Sequence, residues 1–331
     1  MAEYINIRGQ SIEVVASDPA NPTIGQVWYN STSNTLKGGG VTTAGAWATG
    51  NNMNTGRRQL GGTGTQTAGL AASGLIGATV TGATEEYDGT SWTNSNSLNT
   101  PRWAVIVCGT QTAALGSGGT LWPPGVTSNA TEEYDGNSWT SSNPLNTART
   151  YADGTTMGTQ TAGLAAGGYS PALSYISATE EYDGNSWTSS NPLNTARGSH
   201  GGVGIQTAAL TFGGESPGGR TAVTEEYDGT SWANSNNMNT TRNQLAGAGT
   251  QTAALGFGGY TGSPSAATEE YDGTSWVTSP GSLNTARYAL GGAGIQTAGL
   301  AFGGDLGPTY TAATEEWTGA GAPLTVTITS S

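Results

Sequence analysis

Apolar and polar residues alternate over short runs through most of the chain. No stretch carries apolar residues at a sustained spacing of about 3.6, so strands are predicted and almost no helix. The runs follow one order. After an Asn-Thr-x-Arg linker comes a short strand such as Arg58-Gln59-Leu60-Gly61-Gly62, then a turn at Gly64-Thr65. A Gln-Thr-Ala strand follows and ends in paired glycines (Gly167-Gly168, Gly258-Gly259, Gly303-Gly304), after which the sequence varies. Ala-Thr-Glu-Glu-Tyr, an Asp-Gly pair and a strand headed by Trp complete the unit. Asp-Gly between alternating strands predicts a two-residue type I′ hairpin, whose central residues both need positive φ.

The unit recurs. Its Glu-Glu-aromatic element falls at Tyr87, Tyr134, Tyr182, Tyr227, Tyr271 and, altered, Trp317, in steps of 44 to 48 residues. Gln66, Gln111, Gln160, Gln206, Gln251 and Gln296 recur in phase, and Ala130–Arg149 reappears letter for letter at Ala178–Arg197. A period of this size made of four short strands predicts a β-propeller. The first three strand types occur six times, but the Trp strand follows a hairpin only at Trp92, Trp139, Trp187, Trp232 and Trp276. Its sixth copy is upstream: Trp47 precedes Asn52-Met53-Asn54-Thr55 as Trp232 precedes Asn237-Met238-Asn239-Thr240. The expected fold is therefore all-β, a six-bladed propeller whose last blade is closed by an N-terminal strand around Trp47, leaving no open edge. These Trp rings should be buried with Tyr87 and its equivalents.

Double glycine, then Tyr, then Trp, at a period near 50 residues, resembles the kelch repeat over residues 41–318. The resemblance implies a kelch-like propeller, and the strand count supports it independently.

Composition changes this picture little. Few large aliphatics and a net charge of −13 would suit a disordered chain, but Trp, Tyr and 54 glycines at fixed repeat positions argue against it. Seventeen of the 23 acidic residues belong to the repeat. Arg57, Arg102, Arg149, Arg197, Arg242 and Arg287 are their natural partners. One lysine and no basic run give no electrostatic footprint for nucleic acid. No run is long and apolar enough for membrane insertion, and the N-terminus lacks the apolar core of a secretion signal. The single cysteine, Cys108, reads as a small buried hydrophobe.

No enzymatic constellation emerges, and neither cofactor nor metal is expected. The lone histidine, His200, cannot by itself supply a zinc or copper site. The kelch-type copper oxidase chemistry needs several histidines. Glu85 and Glu86 form a carboxylate pair of the kind glycosidases use, but the pair recurs in every repeat, and a feature made six times is normally architecture. The Gly-x-Gly strings are repeat turns and not phosphate loops, since no helix follows.

The loops between the paired glycines and Thr-Glu-Glu differ in sequence while everything around them repeats. They carry Trp122, Tyr169, Tyr175, Tyr260 and Tyr310, the candidate recognition face, suited to sugar stacking or protein docking. Outside the repeat are a segment of residues 1–40 and a tail of residues 319–331 that alternates like an edge strand. Gly25-Gln26-Val27-Trp28-Tyr29-Asn30 with Thr35-Leu36-Lys37 reads as a hairpin, with Trp28 and Tyr29 as candidate docking residues. Residues 21–37 resemble short modules of bacteriophage tail and fibre proteins. That resemblance implies a non-enzymatic virion structural protein, assembled in the host cytoplasm. Residues 1–40 would bind other virion proteins, and the propeller would meet host-surface glycans or another receptor. A lectin-like carbohydrate-binding propeller and a capsid decoration protein are the alternatives.

Overall fold

The computed structural model describes residues 12–19, 25–41, 44–123, 125–151, 157–170, 174–320 and 323–328. These residues form strands and loops, with no helix among them. The chain divides into two units, residues 46–318 and a smaller one formed by residues 1–45 with 319–331.

The larger unit holds six four-stranded antiparallel sheets. In the first, Gly61–Thr65, Ala68–Ile76, Thr79–Tyr87 and Trp92–Ser95 pair in chain order. The second to fifth repeat this order over residues 106–142, 158–190, 201–235 and 246–278. The sixth is Gly291–Ile295, Ala298–Phe302 and Thr314–Thr318, completed by Ala46–Gly50. Trp47 pairs with Trp317 and Thr49 with Glu315, so the upstream strand completes the last sheet, as expected.

Adjacent sheets are joined by the repeated residues. Each of six Trp indoles (Trp47, Trp92, Trp139, Trp187, Trp232, Trp276) donates to a Thr hydroxyl of the preceding sheet at 2.9–3.0 Å. The five downstream Trp rings are only 4–6 % exposed, and Trp47 is 7 % exposed. Each Gln of Gln-Thr-Ala donates from Nε2 to the carbonyl of the preceding sheet's Tyr (for Gln66, Trp317) at 2.6–2.7 Å. Trp92 reaches Thr314 and Gln66 reaches Trp317, so the first sheet is bonded to the sixth as the others are to their predecessors. The apolar core lies between sheets. Leu60, Ala71, Tyr87 and Trp92, for instance, pack on Leu300 and Phe302.

The first strands lie side by side in succession, that of the sixth sheet beside that of the first. A Cβ on Gly62 would stand 2.8 Å from the Gly292 carbonyl oxygen, and one on Gly292 an equal 2.8 Å from that of Gly247. Backbones meet here where no side chain fits, which explains a core drawn so heavily from Gly and Ala.

The Asp-Gly turn differs from expectation. Tyr87 pairs with Trp92, leaving a four-residue loop, of which only Gly89 has positive φ, at 88°. The Asp88 carboxylate closes it by accepting the N–H groups of Thr90 and Ser91 at 2.7 and 2.6 Å. These bonds hold the carboxyl below its usual range. Asp side chains mimic a turn in this way, so the Asp is needed for its carboxylate and not for positive φ. Asp135, Asp183, Asp228 and Asp272 repeat the arrangement.

In the smaller unit, Val27–Asn30 and Thr35–Val41 form the expected hairpin, with Glu13–Val15 parallel on one side and Pro323–Thr327 antiparallel on the other. Asp18 accepts bonds from Lys37 Nζ, Asn30 Nδ2 and Trp28 Nε1 at 2.6, 2.7 and 3.0 Å. The Lys37 bond leads in pulling its carboxyl down to about 2.

Candidate functional site

The loop face is built on six buried ion pairs. The first Glu of each Glu-Glu meets the arginine of the preceding linker: Arg57–Glu85, Arg102–Glu132, Arg149–Glu180, Arg197–Glu225, Arg242–Glu269 and Arg287–Glu315, at 2.5–3.3 Å. All six guanidinium side chains are fully buried. Burial pulls Arg197, Arg242 and Arg287 down to about 10 against the opposing pull of their glutamates, so they remain charged at neutral pH. The other carboxylate oxygen of each Glu accepts the linker Asn N–H (Asn54, Asn99, Asn146, Asn194, Asn239, Asn284) at 2.6–2.7 Å. The linker is thus pegged to its own sheet at two points.

The second Glu faces the other way, as strand alternation requires. Glu86, Glu133, Glu181, Glu226 and Glu316 accept the hydroxyls of Tyr134, Tyr182, Tyr227, Tyr271 and Tyr87. Burial first, then the carboxylate, raises these phenols, to about 12 for Tyr182, Tyr227 and Tyr271. Both glutamates of the repeat are therefore engaged in holding the sheets, except at the fifth, where the aromatic residue of the next sheet is Trp317 and carries no hydroxyl.

Immediately after each pegged arginine come two residues whose geometry repeats while their identity does not. The first bridges to the residue after the glycine pair (Ser73-Gly74 in the first repeat): Arg58 to Leu75, Trp103 to Thr120, Thr150 to Tyr169, Gly198 to Glu215, Asn243 to Tyr260 and Tyr288 to Asp305. The second, at Gln59, Ala104, Tyr151, Ser199, Gln244 and Ala289, is left-handed in every sheet, with φ of 52–54°. Non-glycine residues there cost on the order of 1 kcal/mol or more each. Backbone bonds between neighbouring sheets offset this: Gln59 N–H to Ala289, Ala289 to Gln244, Gln244 to Ser199, Ser199 to Tyr151 and Ala104 to Gln59.

On this frame lie two adjoining cavities. One, of about 260 Å³, is lined by Tyr151, Tyr169, Tyr175, Ser199, Glu215 and Gln244. The other, of about 320 Å³, is lined by Glu215, Arg220, Asn243, Gln244, Tyr260 and Tyr288. Asn243 donates to Glu215 at 2.6 Å, and the Arg220 guanidinium stands 5.5 Å from the Tyr260 ring centre. Burial, with Glu215 second, raises the Tyr175 phenol. Trp103 packs edge-on against Tyr151 at 5.2 Å, and Tyr260 lies 5.1 Å from Tyr288.

The aromatic residues expected on this face divide. Tyr169 and Tyr175 share the first cavity and Tyr260 lines the second. Trp122 is 57 % exposed and Tyr310 38 % exposed, and neither lines a cavity described above. Trp103, Tyr151, Tyr288, Glu215, Arg220 and Gln244 were not anticipated. Most follow the repeat arginine, where the sequence also varies. In the smaller unit, Trp28, expected at a docking surface, is buried with its indole bonded to Asp18, so its ring serves the interior. Tyr29 is half-buried and donates to Asn34 Oδ1 at 3.3 Å.

His200 occupies an interior position filled by Leu60, Leu245 and Leu290 in other repeats. Its ring nitrogens lie 3.1 and 3.2 Å from the Ala166 and Gly201 carbonyl oxygens. Burial, with Arg197 second, lowers it to about 4. Cys108 is buried and its thiol is pushed up to about 12 by desolvation. Among the described residues no group of His, Cys, Asp and Glu is placed to hold a metal ion. Comparison with protein-family models and with curated proteins finds no match for this chain.

Proposed function

We propose that the six sheets are the blades of a closed, kelch-like propeller, and that this propeller is a non-enzymatic recognition module. The bonds from Gln66 and Trp92 to the sixth sheet support closure, since they repeat those made at every other sheet junction, and the Tyr87 bond to Glu316 repeats those of Tyr134, Tyr182, Tyr227 and Tyr271. One observation carries the recognition reading. Two adjoining cavities, rich in tyrosine, lie where an invariant frame presents variable residues. Variable residues on a rigid scaffold are where proteins place binding functions.

The setting we propose is a bacteriophage virion, in a tail, fibre or other appendage, with the propeller meeting the host surface. The resemblance of residues 21–37 to tail and fibre modules supports it. Residues 1–40 would attach the propeller to other virion proteins, through the strand Glu13–Val15, whose Val14 is 65 % exposed, and the adjoining Ile12, 42 % exposed, and not through Trp28. Adsorption of the purified chain to host cells tests the reading. Replacing Tyr169 and Tyr260 together with Ala should abolish adsorption without lowering the unfolding midpoint. Adsorption undiminished in that variant would overturn the recognition role. Absence of the chain from purified particles by mass spectrometry would overturn the virion setting.

A further inference from the structure

The first cavity has a shape and charge more specific than a general recognition surface. Tyr169 meets Tyr151 at 82° with ring centres 6.4 Å apart, and meets Tyr175 at 77° and 5.7 Å. Successive rings are therefore near perpendicular, so they form walls and not the flat open platform on which a pyranose ring stacks. Glu215 adds a carboxylate to the same lining. Ring faces carry negative quadrupole charge, and several faces around one small space attract a cation that sheds its water easily. The adjoining cavity already holds such a pairing within the chain, Arg220 over Tyr260.

We propose that the cavity lined by Tyr151, Tyr169, Tyr175 and Glu215 is an aromatic cage for a quaternary ammonium group of the choline type. This deepens the recognition reading of the same face and rests on it. A trimethylammonium group has no N–H to satisfy and presents a diffuse charge over an apolar surface. Tyrosine faces with one carboxylate match both properties. Ser199 in the first cavity and Gln244 at the edge shared with the second supply hydroxyl and amide groups for a neighbouring phosphate or hydroxyl of the ligand. The ammonium could belong to a lipid headgroup or to choline carried on a surface polymer.

Isothermal titration of the full chain with tetramethylammonium chloride, phosphocholine and the uncharged neohexyl isostere of choline tests the cage. Both cations should bind and the isostere should bind at least about tenfold more weakly. Tyr169→Ala should abolish cation binding, whereas Tyr169→Phe should retain it because the ring face remains. Equal binding of isostere and cation, no binding of either cation, or undiminished binding by Tyr169→Ala would overturn the proposal. Cosedimentation with phosphatidylcholine vesicles identifies the lipid headgroup as the source. Binding of phosphocholine without cosedimentation identifies choline borne elsewhere, and both results support the cage. If no cation binds yet Tyr169→Ala still lowers adsorption to cells, the cage fails while the recognition reading stands. If neither cation binding nor adsorption depends on this face, both fail.

Discussion

The two glutamates of each repeat and the two residues after each arginine make an instructive contrast. The first glutamate is tied by side-chain atoms in all six sheets, as Glu85 is to Arg57 and the Asn54 N–H, and the second is tied in five of them, as Glu86 is to the Tyr134 hydroxyl. The residues after the arginine keep only their backbone. A bridge fixes the first and a left-handed turn with an inter-sheet bond fixes the second, and neither uses the side chain. Where side chains carry the architecture, sequence cannot drift. Where the backbone carries it, the side chain can vary from repeat to repeat, and Tyr151, Gln244 and Tyr288 are what this chain has placed there.

The contrast can be broken most severely at the ion pairs. Glu180→Ala should cost on the order of 3–5 kcal/mol, because it strands a buried Arg149 charge. Chemical denaturation measures this, and a loss within about 0.5 kcal/mol, typical of a surface change, would mean the pair is not part of the frame. Replacing Arg149 and Glu180 together with Met and Leu should recover much of the loss.

A second effect, roughly 2 kcal/mol near pH 5, is expected at His200. Its folded pKa is depressed to about 4, so the unfolded chain takes up the proton first as pH falls below its usual value. Stability is complete above that value and is lost on acidification toward about 4. His200→Leu, which installs the residue found at Leu60, Leu245 and Leu290, should flatten this acid limb in midpoints measured across pH. An unchanged slope would show that His200 is protonated without cost.

The tyrosine–glutamate pairs predict the opposite, alkaline limb. Raised phenols such as Tyr182, Tyr227 and Tyr271, at about 12, keep the folded state protonated where the unfolded chain has begun to ionise. Their contribution is whole below the ordinary phenol range and declines as pH climbs through about 12. Tyr227→Phe should make the alkaline loss shallower, read from unfolding midpoints in that range.

The smallest effect belongs to the variable positions. Gln59→Gly relieves a left-handed residue and should stabilise by up to about 1 kcal/mol. Changing its side chain while keeping the backbone should leave stability nearly untouched. A loss comparable to that of Glu180→Ala would erase the distinction between the two classes of position.

The repeat made much of this legible. Six in-phase Gln-Thr-Ala and Glu-Glu elements against five downstream Trp strands are enough to send Trp47 to the sixth sheet, because a strand has only a few places to pair. Strand alternation shows that Glu85 and Glu86 face apart, but not that Arg57 would be buried whole beside the first. That depends on how closely glycine strands such as those of Gly62 and Gly292 let the sheets approach. Asp88 reads as half of a two-residue turn because Asp-Gly supports that turn, yet its carboxylate spans a longer loop. The cavity was half visible. Tyr169, Tyr175 and Tyr260 stand in loops that differ between repeats, whereas Tyr151, Gln244 and Tyr288 stand close after the repeated arginines, and Glu215 and Arg220 lack the aromatic signature. Trp28 looks like a free surface ring only while the Asp18 acceptor, ten residues away, is out of view.

The strand Ala46–Gly50 also sets a clock on the ribosome. It emerges ahead of all six sheets, yet its partner, Thr314–Thr318, is nearly the last part of the unit to be made. Domains generally fold as units while synthesis proceeds, but this one must keep Trp47 waiting unpaired until the final repeat leaves the exit tunnel. Pairing so distant in sequence is intrinsically slow. A nascent chain halted before Thr314 should therefore expose its Trp47 strand to proteases and chaperones, and release of the last repeat should convert it, in one step, into a resistant body.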